Sequence, residues 1–126
     1  MAPVAIPRRV RRLILEAIDS VAELEALLLL RETAGQAWTP DAASARLYVS
    51  RHVAAYSLSA LAHRGLLKET DAGFIYEPLA PALGEDVAAL AASYSQSLIA
   101  VTQLIHSKPP PSVQDFARAF RLRNDP

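Results

Sequence analysis

Residues 48–68 read YVSRHVAAYSLSALAHRGLLK, and the order of signals in this stretch decides how the chain is organised. Ser50 is a strong helix cap, Ala54, Leu58 and Leu61 recur at helical spacing, and Gly65 offers the left-handed residue on which a chain leaves a helix. Leu66-Leu67-Lys68-Glu69 then changes the pattern to a β-prone run. A helix that starts at Ser50, ends at Gly65 and turns at once into a strand is the expected result. At 100° per residue, His52, Tyr56, Ser59 and His63 share a narrow sector opposite Ala54, Leu58 and Leu61, so a polar stripe should point outward along that helix.

Working towards the N-terminus, Trp38-Thr39-Pro40 is a second start signal and predicts a short helix over about 40–46, joined to the first by a turn. Ser20 followed by Glu23 forms a capping box, each side chain satisfying the other residue's backbone N–H, so a further helix should begin at Val21. Its apolar face holds Leu24, Leu27, Leu28 and Ala34; Glu23, Glu25, Arg31 and Glu32 are expected to stay wet, and Gly35 ends it. Residues 8–18 can start another helix, basic at its outset and apolar after. Residues 1–12, with Arg8, Arg9, Arg11 and Arg12, are read as a basic N-terminal arm.

Towards the C-terminus, Phe74-Ile75-Tyr76-Glu77 is a second β-prone run, and Thr70-Asp71-Ala72-Gly73 between the two runs is a turn, so the pair reads as a hairpin closed by Pro78 and Pro81. Residues 83–107 read as one helix of ~36 Å, longer than a small core can cover. Val87, Leu90, Tyr94, Leu98, Val101 and Ile105 line one side at three- and four-residue intervals, a seam of ~2.5 heptads suited to a second copy of the chain. Lys108-Pro109-Pro110-Pro111 stops this helix. Ser112 and Asp115 are a plausible cap for a last short helix with Phe116, Ala117 and Phe120, ahead of a tail containing Arg121 and Arg123. The fold class is therefore mainly α with a small β-hairpin: a core over 13–81 and a helical extension over 82–126.

Composition narrows the chemistry. The 126 residues are 52% apolar and 21% charged, enough for one domain, and 13 basic residues balance 13 acidic ones, so no global positive field draws the chain to a polyanion. Cys is absent, which removes disulfides, thiolate metal sites and a cysteine nucleophile and fits a cytoplasmic setting. No signal peptide is visible. Residues 87–107 carry no acidic or basic side chain other than His106, but Ser93, Ser95, Gln96, Ser97, Thr102, Gln103, His106 and Ser107 demand too many hydrogen bonds for a lipid-facing helix, so no membrane span is expected. His52 and His63 share a face but stand roughly 16 Å apart, too far for one metal, and no phosphate loop exists among four scattered glycines. Neither an enzyme nor a cofactor is expected.

The order helix, helix, turn, helix, Gly, strand, turn, strand, helix is that of a winged helix-turn-helix. Residues 48–68 resemble the reading helix and first wing strand of bacterial regulators of the MarR and ArsR families. In those families a Ser or Thr caps the reading helix, Leu residues seven and four positions before a Gly fix it to the core, and a Gly-Leu-Leu leads into the wing. Leu58, Leu61, Gly65, Leu66 and Leu67 fill those places. The match beyond this stretch is in element order alone.

The resemblance implies a homodimeric transcriptional regulator that reads a two-fold symmetric site on double-stranded DNA. On it, His52, Tyr56, Ser59 and His63 would meet base edges while Arg51 and Arg64 would hold phosphates; Arg8, Arg9, Arg11 and Arg12, with Arg118, Arg121 and Arg123, would add phosphate contacts if the two ends flank that helix. A small-molecule effector could use Trp38, Tyr48 and Tyr94. The alternative is a protein-binding module on the same fold, since Glu69 and Asp71 oppose Lys68 where such wings usually present Arg or Lys to the minor groove.

Overall fold

The computed structural model describes residues 6–109. Pro7 leads the chain into α1 (Arg8–Ala17), so Arg8, Arg9, Arg11 and Arg12 stand on the first turns of a helix whose Val10, Leu13 and Ile14 are buried. Ser20 is extended, and its Oγ accepts the Glu23 N–H at 3.1 Å to open α2 (Val21–Glu32). The return half of the expected box differs. Glu23 Oε1 accepts the N–H of Asp19 at 2.9 Å rather than that of Ser20, and Glu23 is only 1% exposed where a wet residue was expected. Ala34 lies past the end of α2, exposed in the following turn.

Thr39 Oγ1 accepts the Ala42 N–H at 3.1 Å and Pro40 takes the first position of α3 (Pro40–Leu47). Tyr48 then adopts a left-handed conformation (φ 58°, ψ 41°), and Ser50 Oγ accepts the Val53 N–H at 3.1 Å to start α4 (Arg51–His63). Gly65 (φ 84°) leads into β1 (Leu67–Thr70), which pairs antiparallel with β2 (Gly73–Tyr76). A Cβ on Gly65 would come within 2.6 Å of Leu79 Cδ1. Thr70 opposite Gly73 closes the hairpin, because Thr70 Oγ1 donates to the Gly73 carbonyl at 2.7 Å. Each strand therefore sits one residue nearer the turn than its β-prone run.

Trp38 adds a single extended residue beside β2, exchanging both backbone hydrogen bonds with Phe74 at 2.8 Å. Its indole N–H donates to Thr33 Oγ1 at 2.9 Å, which satisfies the one polar atom of a buried ring. Gly73 (φ 133°) makes room for this rung, since a Cβ there would lie 2.6 Å from the Trp38 carbonyl oxygen. The core gathers Ile14 and Ile18, Leu24, Leu27 and Leu30 of α2, Leu58 and Leu61 of α4, and Leu66, all fully buried.

The expected long C-terminal helix is two helices. α5 (Pro81–Gln96) and α6 (Leu98–His106) meet at 113°, broken at Ser97 (φ −140°, ψ 55°). A straight helix would carry Val101 and Ile105 into solvent. After the break both are buried, 0% and 2% exposed, with α6 packed on α1 and α5. Burying two such side chains stabilises by about 1.5–3 kcal/mol each, more than the few backbone bonds of about 1 kcal/mol that a break forfeits.

The expected dimer seam is therefore not an open stripe on the surface of the chain. Val87, Leu90, Val101 and Ile105 are interior residues of one chain, and Tyr94 is half-buried. Leu98 alone of the six stands out, 54% exposed at the corner. No single helix among the described residues is long and apolar enough to cross a membrane. The expected short helix with Phe116, Ala117 and Phe120, the Ser112 cap and Arg118, Arg121 and Arg123 fall outside the described residues.

Candidate nucleic-acid interface

α4 is amphipathic in the expected rotation. Ala54, Leu58 and Leu61 are at most 1% exposed, and His52, Tyr56, Ser59 and His63 all face solvent. Among the described residues none of these four side chains makes a hydrogen bond or ion pair, so the whole donor and acceptor capacity of the stripe is open. The helix packs against α2 and α3, with Leu58 and Leu61 fully buried. Between Ser59 and His63 of α4 and Lys68, Glu69 and Phe74 of the hairpin lies a cleft of about 580 Å³.

The cations meant to flank the stripe are differently placed. Arg51 is exposed at the start of α4, but its Nε is hydrogen-bonded to Asp41 Oδ1 of α3. Arg64 is withdrawn from the surface. Its guanidinium donates to Asp19 Oδ2 at 2.8 Å, to Glu23 Oε1 and to the Ala17 carbonyl at 2.7 Å, leaving the side chain 17% exposed. It cannot hold a phosphate from there. The planar fork of an arginine suits this place, because it bridges two carboxylates and a helix-end carbonyl at once.

Lys108 completes the group. Its Nζ donates to the Ile14 and Ile18 carbonyls at 2.7 Å each and to Asp19 Oδ1 at 2.8 Å, with its side chain 5% exposed. Two carboxylates and two cations thus share one dry site at the junction of α1, α2, α4 and α6, with no buried side-chain polar atom left unpaired among the described residues. The Ser20 cap made Glu23 legible only as part of a helix start. No local signal in the sequence marks Glu23, Arg64 and Lys108 as partners, since they lie far apart in the chain.

On α1, Arg8, Arg11 and Arg12 are exposed, and Arg9 bonds Asp86 at 2.9 Å and approaches Glu85 at 3.6 Å. The hydrogen bond that Arg9 donates to Asp86 raises the Arg9 pKa above its ordinary value. α1 packs against α5 and α6, whereas α4 packs against α2, α3 and β1, so the basic cluster belongs to the other layer. On the hairpin, Lys68 sits 3.8 Å from Glu77, with Glu69 and Asp71 exposed nearby.

The three aromatics considered for an effector pocket do not converge. Trp38 is buried against the hairpin, Tyr48 is 93% exposed, and Tyr94 donates its hydroxyl to Glu25 Oε1 at 2.7 Å. Burial, then this bond, pushes the Tyr94 hydroxyl up to about 12. Tyr94 and Tyr48 line adjoining clefts of about 220 and 400 Å³ beside α2, which share Glu25, Arg46 and Leu47. Among the described residues no three His, Asp or Glu side chains come together as a metal site. No protein-family model, curated protein or solved structure matches the chain.

Proposed function

We propose that the chain is a DNA-binding regulator of the winged helix-turn-helix kind, placing the exposed face of α4 in the major groove of double-stranded DNA. The observation that carries this reading is the unengaged stripe His52, Tyr56, Ser59 and His63 on a helix whose opposite face is locked into the core. A major groove admits one α-helix, and such side chains pair with base edges or lie against a thymine methyl. The element order supports it too. α3 and α4 joined by a short turn, followed by a hairpin and a further helix, is the element order that the resemblance leads one to expect.

Charge favours a second reading, a protein-binding module. Arg64 is consumed inside the fold, Arg51 is paired with Asp41, and Lys68 faces Glu77, which leaves little free positive charge around α4. Both readings rest on α4 of one chain; a symmetric dimer built on the seam would have to unpack Val87, Leu90, Val101 and Ile105. Fluorescence anisotropy with a random-sequence duplex separates the two. Binding at low salt that weakens as salt rises supports DNA recognition, and no binding at low salt refutes it.

A further inference from the structure

Among the described residues Tyr48 is the one non-glycine with a positive φ. That conformation brings a Cβ close to the following carbonyl and is adopted routinely only by Gly, with Asn and Asp as occasional exceptions. The backbone needs it. The Tyr48 and Val49 N–H groups both donate to the Ser44 carbonyl, which ends α3 and turns the chain towards the Ser50 cap. The position therefore asks for glycine or asparagine, and a tyrosine stands there.

Little of the fold covers the ring, although Tyr48 borders the cleft beside Val21, Ala22 and Glu25 of α2. It is 93% exposed, and its hydroxyl makes no hydrogen bond among the described residues. Its place in the sequence is informative. Tyr48 lies two residues before the α4 cap and four before His52, and Val53 and Tyr56 of α4 are 38% and 52% exposed. Arg46, two residues before it, is exposed. An aromatic residue held out in solvent at the entry to the exposed helix, at the cost of an unfavourable backbone, is placed to meet something outside the chain.

Resting on the DNA reading above, we infer that Tyr48 is a backbone contact, its ring lying along a deoxyribose and its hydroxyl donating to a phosphate oxygen at the N-terminal end of the α4 track. It stands outside the base-facing stripe, so it positions α4 without reading sequence. Being uncharged, it releases no counterion, which separates its signature from that of Arg46.

The test compares the full chain with Tyr48→Gly, Tyr48→Phe and Arg46→Ala by anisotropy on one duplex over a salt series, with thermal melting alongside. Tyr48→Gly should melt at the same or a higher temperature, yet bind at least about tenfold more weakly with the salt slope unchanged, the loss expected for one hydrogen bond to a charged acceptor plus the ring contact. Tyr48→Phe should recover part of that loss. Arg46→Ala should flatten the slope by about one unit. Unchanged affinity in Tyr48→Gly overturns the inference and leaves the DNA reading standing; a lower melting temperature overturns it too, by showing that the ring supports the fold. Absence of duplex binding by the unaltered chain overturns both.

Discussion

Asp19 and Lys108, 89 residues apart in sequence, meet at 2.8 Å, and the other Asp19 carboxylate oxygen takes Arg64 at the same distance. One side chain thus ties the end of α6 and the end of α4 to the corner between α1 and α2. Removing one member of such a group leaves an uncompensated charge in a dry site.

Lys108→Met should therefore destabilise the chain by about 3–5 kcal/mol, read from urea unfolding, because it takes the Nζ donor away from Asp19 Oδ1 and from the Ile14 and Ile18 carbonyls together. Exposed Lys68, by contrast, faces Glu77 at 3.8 Å on the surface, and Lys68→Met should change stability by less than about 1 kcal/mol. Equal costs for the two would contradict the buried group.

The bend at Ser97 sorts the former seam into inside and outside. Ile105→Ala should cost about 2–5 kcal/mol as a core truncation, while Leu98→Glu should stay within about 0.5 kcal/mol. Light scattering on Leu98→Glu should give the same mass as the unaltered chain. A change of oligomeric state in that variant would show that the α5–α6 corner is an interface.

Stability and recognition should separate along α4. Leu61→Ala is expected to cost about 2–5 kcal/mol, whereas His52→Ala and Tyr56→Ala should each leave folding within about 0.5 kcal/mol. On a selected duplex, each of the latter two should weaken specific binding by about 1–3 kcal/mol and leave random-sequence binding nearly unchanged. Intact specific binding in the double variant would move recognition away from the stripe.

Tyr94 makes the alkaline limb of stability testable. Its hydroxyl is held up to about 12 by burial and by Glu25, whereas an unfolded chain releases that proton near ~10. The folded state binds the proton more tightly, so the contribution is complete below pH ~10 and is lost as pH rises towards about 12. Urea midpoints measured across that range should fall more steeply for the unaltered chain than for Tyr94→Phe. Glu25→Gln should narrow the difference without abolishing it, because burial is the larger cause.

What the sequence determined by itself is what depends on neighbours within a turn or two. Ser20, Thr39 and Ser50 each cap the helix that follows, because a hydroxyl reaches an N–H three residues on whatever the rest of the chain does. The rotation of α4, with Leu58 and Leu61 inward and His52 and Tyr56 outward, follows from helical period alone. Gly65 and the Asp71-Ala72 turn are local in the same sense.

Tertiary structure decided the rest. Val101 and Ile105 are spaced as well for a straight helix meeting a partner as for a bent one folding home, and only the presence of α1 beside α5 made the second arrangement bury them. Arg64 and Glu23 each carry the local signature of a wet residue. They are withdrawn from water because they pair with each other from distant parts of the chain, while Asp19 takes the other side of the Arg64 fork and is itself matched by Lys108, and a charge enters a core only when such partners are already there.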